Sequence, residues 1–181
     1  MKYRKNRKQK KNSSRGWFFI IFVSSFFLSL FFSYISTNAL TGLDIIPAII
    51  AILIVVSVGI IFDIIGLSVT VANEEHFHAQ GTKKIKSSRT ALKLIRNAPK
   101  VSNFCADVIG DIAGVLSGAM SAIIALKITS NYGIDESIQY FISATVAALT
   151  IGGKAIGKGI AIKYSNKIVN GVSKVISGVY K

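Results

Sequence analysis

The chain carries a single cysteine, Cys105, which excludes any disulfide within it. Histidine is nearly as scarce. The only two, His76 and His78, stand beside Glu74 and Glu75, but no further ligand follows at zinc-site spacing, so the cluster reads as a solvated turn. Nucleophile–base spacings and phosphate-binding glycine loops are also missing, and the sequence predicts no enzyme. Acidic residues number 8 against 22 Lys and Arg, for a net charge of +14. Such a balance in a soluble chain points to nucleic acid. Here 51% of the residues are hydrophobic and fall in long runs, so nucleic acid is not the expected partner. The two prolines, Pro47 and Pro99, leave those runs uninterrupted.

What is present is a set of apolar runs long enough to cross a bilayer, which takes roughly 20 residues of helix. Residues 1–15 form a dense basic tail without apolar periodicity, expected to be disordered. Residues 16–36 are an aromatic-rich run, bracketed by Trp17 and Tyr34 at interfacial positions. A basic segment before an apolar core also begins a signal peptide, but no small-x-small cleavage site follows, so a retained extra N-terminal span is expected. Further spans are expected over 45–71, 104–126 and 137–153, with Pro47 at a helix start.

Between the second and third runs, residues 73–103 are polar and basic. Within them Ala91, Leu92, Leu94, Ile95 and Ala98 make an apolar stripe suited to a helix on the membrane surface, which Pro99 should stop. Residues 159–181 give a second basic amphipathic helix, with Lys163, Lys167 and Lys174 opposite its apolar positions. The fold class is therefore an all-α integral membrane protein with about four transmembrane helices and juxtamembrane amphipathic helices. The basic segments are expected to hold anionic lipid.

Orientation follows from the positive charges. The N-terminal tail holds 8 Lys and Arg, the middle loop 7 and the C-terminal segment 6, whereas the other two connections hold only Lys127. The positive-inside rule places both termini and the middle loop in the cytoplasm of a multi-pass protein of the plasma membrane.

The third run is the unusual one. It carries Asp107 and Asp111 one turn apart, and Gly110, Gly114 and Gly118 in a doubled G-x-x-x-G pattern that lets another helix approach. A carboxylate in hydrocarbon costs about 2.5–3.5 kcal/mol on insertion scales, so it either faces a partner or water, or snorkels to the headgroups. Asp63 in the second run and Lys154 after the fourth add polar groups from two more helices. Asp63 either faces inward or reaches the interface, and Lys154 either points inward or anchors the cytoplasmic face.

The order of these features carries a resemblance. An apolar helix runs into TVANEEHFHAQGTKKIKSSRTALKLIRNAP, then a span contains IGD, then a span ends in GGKAIGKGIA. Over residues 45–181, with 45–158 as the core, this resembles the transmembrane domain of the cyclin-M / CorC-type magnesium and cobalt transporters. The resemblance implies a homodimer whose ion is held by oxygen groups on three core helices. Gly110 then matches the glycine of the family's Gly-Asn-Asn, Asp111 its first asparagine, Gly153 the glycine of the third-helix motif and Lys158 its lysine. Asp63 and Ser68, in DIIGLS, stand near the family's first-helix serine–glutamate stretch. Asp63, Ser68 and Asp111 are thus the expected metal residues, and magnesium the ion.

Two departures cut against transport. Lys154 stands where the family has glutamate, and Gly157 where it has proline. The sequence also shows no counterpart of the regulatory nucleotide-binding (CBS) domains. Magnesium requires about six oxygens in tight octahedral geometry, and a lysine here removes one ligand and adds a positive charge. The expectation is divided between a divalent-cation transporter-like protein, its ion site intact or defunct, and a non-transporting membrane interaction or regulatory protein in which Lys154 replaces the ion. A small holin-like pore-former is supported only by size and basic tails.

Overall fold

In hydrocarbon every backbone N–H and C=O must find its partner within its own segment, so long apolar stretches become helices. The computed structural model of the chain describes residues 2–82 and 86–179; the side chains of 2–15, 17, 39–41, 80, 82, 86 and 179 lie outside the description, including the expected interfacial Trp17. The described chain is helical almost throughout: α1 Lys2–Thr41, α2 Ile45–Val71, α3 Glu74–Thr82, α4 Lys86–Arg96, α5 Ala98–Ser102, a π-helical stretch Asn103–Gly110, α6 Asp111–Tyr132 and α7 Ile138–Val179. Four stretches are long and apolar enough to cross a membrane: Phe18–Asn38, Ile45–Val71, Ala98–Tyr132 and Ile138–Gly178. The protein is an all-α, multi-pass membrane protein.

Helix α2 is the axis of the bundle. It runs antiparallel to α6: Ala48 and Ile52 pack with Met120 and Ile124 near one end, and Gly66 lies against Cys105 and Ser102 near the other. Between these, the backbones at Gly59 and Ala113 come so close that a Cβ added to Gly59 would sit 2.8 Å from that of Ala113. Against α7, α2 runs parallel in a constant register. Ile60 meets Gly153, Ile64 meets Gly157, Ser68 Oγ donates to the Ala161 carbonyl at 3.5 Å, and the Asn73 N–H donates to Asn166 Oδ1 at 3.0 Å. The small residues 153, 157 and 161 recur every four positions, forming a groove that accepts the isoleucine ridge of α2. The first span lies at the periphery, with Phe18, Phe22, Phe26 and Phe31 all more than half exposed toward the surroundings.

Several expected boundaries move. The basic tail does not stand apart as irregular chain, because α1 already begins at Lys2 and runs unbroken into the first span. The fourth run and the C-terminal amphipathic segment are one element, α7, bent where Tyr164 departs from helical geometry (φ −118°, ψ 20°). Side chains that insert into a helical ladder cause such bends, and the Ser68 and Asn73 bonds fall on either side of this one. Pro99 does not stop α4, which has ended by Arg96; it sits in the first turn of α5, where a missing N–H is tolerated.

The basic end is closed by a small core of Val69, Phe77, Ala91 and Val169, joining α2, α3, α4 and α7. At the opposite end α6 stops at Gly133, whose φ of 63° is the left-handed conformation that glycine adopts without steric cost. Lys127 there donates to the Leu43 carbonyl, tying α6 to the connection between α1 and α2.

Candidate polar centre between α2, α6 and α7

Ile60, which packs on Gly153 beside Lys154, is 15 residues from the start of α2 and 11 from its end. At 1.5 Å per residue this is roughly 22 Å from one end and roughly 17 Å from the other. The polar groups at this level are therefore near the middle of a span. Lys154 Nζ lies 3.4 Å from the Gly110 carbonyl oxygen and 3.6 Å from Asp111 Oδ1. Its side chain is 22% exposed and that of Asp111 71%. Both distances exceed the usual 2.7–2.9 Å of a charge-assisted hydrogen bond, so the ammonium sits between its two partners instead of closing on one.

The backbone around the lysine is built for close approach. The buried Gly110 would bring a Cβ to 3.7 Å from both the Gly59 carbonyl and Lys154 Nζ. It ends the π-helical stretch, a wider helix form that recurs at functional positions. Asp63 shares a face of α2 with Gly59 and Gly66, both of which pack against this segment; its Oδ2 is buried and has no hydrogen-bond partner among the described residues.

A cleft of about 380 Å³ lies between α6 and α7, lined by Gly114, Ser117, Gly118, Ser121, Ser143 and Thr150 among others. Ser117 and Ser121 donate to carbonyls one turn back, at 2.9 and 2.7 Å, and Thr150 does the same at 2.8 Å. The Ser121 and Ser143 hydroxyls, 3.2 Å apart, bridge the two helices. Nothing lies within 4 Å of a Cβ placed at Gly114 or Gly118. The glycine ridge read in the third run is therefore used by the chain's own helices only at Gly110. The closest glycine approaches come from Gly59, Gly153 and Gly157, the last two in a small-x-x-x-small spacing that is itself visible in the sequence.

The expected residues are thus partly assembled. Asp111 and Lys154 meet. Ser68 does not join them: it is fully buried lower on α2 and occupied with the Ala161 carbonyl. Asp107 is exposed on the π-helical stretch. Lys158, one turn beyond Lys154, is exposed. Among the described residues no three His, Cys, Asp or Glu side chains converge as metal ligands. In the middle segment Glu74 Oε1 accepts from Arg96 Nε at 2.8 Å and lies 3.3 Å from His78 Nε2. These bonds, that from Arg96 first, hold the Glu74 carboxyl below its usual range and clamp α3 to α4.

Chemically, the centre offers one carboxylate, one backbone carbonyl and one ammonium, and α2 separately carries the Asp63 carboxylate with its unpartnered oxygen. The Lys154 ammonium offsets one of these two negative charges and leaves the other uncompensated. Comparison with family models, with curated proteins and with solved structures finds no match to this chain.

Proposed function

We propose that this protein is a non-transporting membrane interaction or regulatory protein, built on a core like that of the cyclin-M / CorC-type transporters, in which Lys154 supplies the cation that an ion would otherwise provide. The observation that carries this reading is the position of Lys154 Nζ, 3.4 Å from the Gly110 carbonyl and 3.6 Å from Asp111 Oδ1. A divalent ion held by these oxygens would meet an ammonium at contact distance, and would still lack most of the six oxygens that magnesium requires. The partner face follows from the same geometry. Asp111, 71% exposed at mid-span depth, needs cover from protein or water, and the uncovered Gly114 and Gly118 beside it leave room for a close helix. A second copy of the chain is the partner we assign to that face, giving a homodimer. The plasma membrane, with both termini cytoplasmic, is the location that fits the charge distribution.

A second reading, transport of magnesium or cobalt, is favoured by the buried, unpartnered Oδ2 of Asp63, an oxygen in want of a cation. Magnesium-dependent thermal shift of the full chain in detergent separates the two, with wild type beside Lys154→Glu and Lys154→Glu/Asp111→Ala. On the first reading wild type shows no shift. Lys154→Glu gains about 2.7 kcal/mol at a hundredfold excess of ion over Kd, and the double variant loses that gain. Stabilisation of wild type that disappears in Asp111→Ala overturns the first reading and supports the second.

A further inference from the structure

Where α7 bends away at Tyr164, it leaves a notch against α2 and the α4–α5 segment. The cavity measures about 720 Å³ and its walls are apolar, among them Ile61 and Ile65 of α2, Leu94 and Val101 of the middle segment, and Val172 and Ile176 of α7. A hollow of this kind does not hold ordered water, because water needs two to four polar partners and these walls offer almost none. Helices α4, α5 and α7, which help form it, are basic beside these apolar positions. Four lining residues are each preceded directly by a lysine: Lys93 before Leu94, Lys100 before Val101, Lys167 before Ile168 and Lys174 before Val175. Being one position off the apolar stripe, these lysines fall along its edges, and all four are exposed. Lys163 and Lys167 also lie 5.4 and 5.6 Å from the centre of the Tyr164 ring at the bend, which gathers positive charge there. Among the described residues no carboxylate lines the hollow.

We propose that this notch is a binding site for an anionic phospholipid, with an acyl chain in the hollow and the headgroup phosphate against the lysines of its rim. An apolar cavity opening along a membrane span beside a cationic rim matches both halves of that molecule, whereas a free anion would leave the hollow unfilled. The site is separate from the polar centre and does not depend on whether that centre takes an ion.

Native mass spectrometry of the full chain from mild detergent, after addition of phosphatidylglycerol or of phosphatidylcholine with the same acyl chains, tests the assignment. Thermal stability is followed in parallel, with inorganic phosphate alone as a third arm. Wild type should retain and be stabilised by phosphatidylglycerol in preference to phosphatidylcholine, and be unmoved by inorganic phosphate. Lys167→Gln/Lys174→Gln should weaken phosphatidylglycerol by about fivefold per lysine and leave phosphatidylcholine unchanged. Gly171→Leu projects a side chain from the wall of the notch. No atom lies within 4 Å of its first carbon, so the fold should tolerate it while retention of both lipids falls. Equal retention of the two lipids by wild type, stabilisation by inorganic phosphate matching that by phosphatidylglycerol, or undiminished retention in both variants overturns the proposal.

Discussion

Glycine carries much of the packing at the level of single residues, and its positions differ sharply in what they would cost to fill. A methyl group at Gly59 meets the Cβ of Ala113 at 2.8 Å, and a Cβ cannot rotate aside, so the backbones must separate. At Gly153 the nearest atom is closer still, but it is Ile60 Cδ1, the end of a flexible side chain. Gly59→Ala should therefore destabilise by about 1–3 kcal/mol, in the range of overpacked cores. Gly153→Ala should cost less and be relieved by Ile60→Val. Gly118→Ala, with open space before it, should be neutral or gain up to about 1 kcal/mol from helix propensity. Reversible unfolding in mixed micelles measures the series, and equal losses at all three positions would contradict the packing described.

Among elements, the middle segment is the one whose stability is set by ionisation. The Glu74 carboxyl is held below its usual value, near 4.5, by hydrogen bonds from Arg96 and His78. A lowered folded-state pKa means that the contribution is complete above the unfolded value and is lost as pH falls through the folded one. The α3–α4 clamp should hold at neutral pH and loosen below about pH 4.5. Because Glu74 is on the surface, the effect should appear as local opening and not as unfolding. Protease cleavage between α3 and α4 that rises on acidification in wild type, but is already high and less pH-dependent in Glu74→Gln, is the expected result. Helix α7 shows the other influence on an element. Its bend coincides with two bonds, one from Ser68 of α2 and one from Asn73 just beyond it, so a neighbour helps set the direction of the C-terminal third.

For the whole molecule, the charge distribution makes an orientation that can be tested directly. After Cys105→Ser, a cysteine at Asn131 should react with an impermeant maleimide in intact cells, and one at His78 only after permeabilisation. Both residues are exposed, Asn131 in the last turn of α6 and His78 in α3, at opposite ends of the bundle. The reverse pattern would invert the topology. Labelling of both in intact cells would remove the spanning arrangement itself.

The four spans and the basic middle segment could be read from the sequence, because hydropathy and net charge are sums over residues and need no neighbours. For Lys154 the sequence left two positions open, inward or at the cytoplasmic face; the approach to Asp111 at 3.6 Å comes from the packing of α6 on α7. What the sequence could not decide was register. Whether Gly114 or Gly153 lies under a neighbouring helix depends on how far one rod slides along another. That is set by the fit of Ile60 and Ile64 into the α7 groove, a property of two helices together. The same fit sends Ser68 to the Ala161 carbonyl instead of to the polar centre, bends α7 at Tyr164 and opens the notch beneath it. Composition determined that this chain lives in a membrane; interhelical packing alone decided which of its polar groups meet.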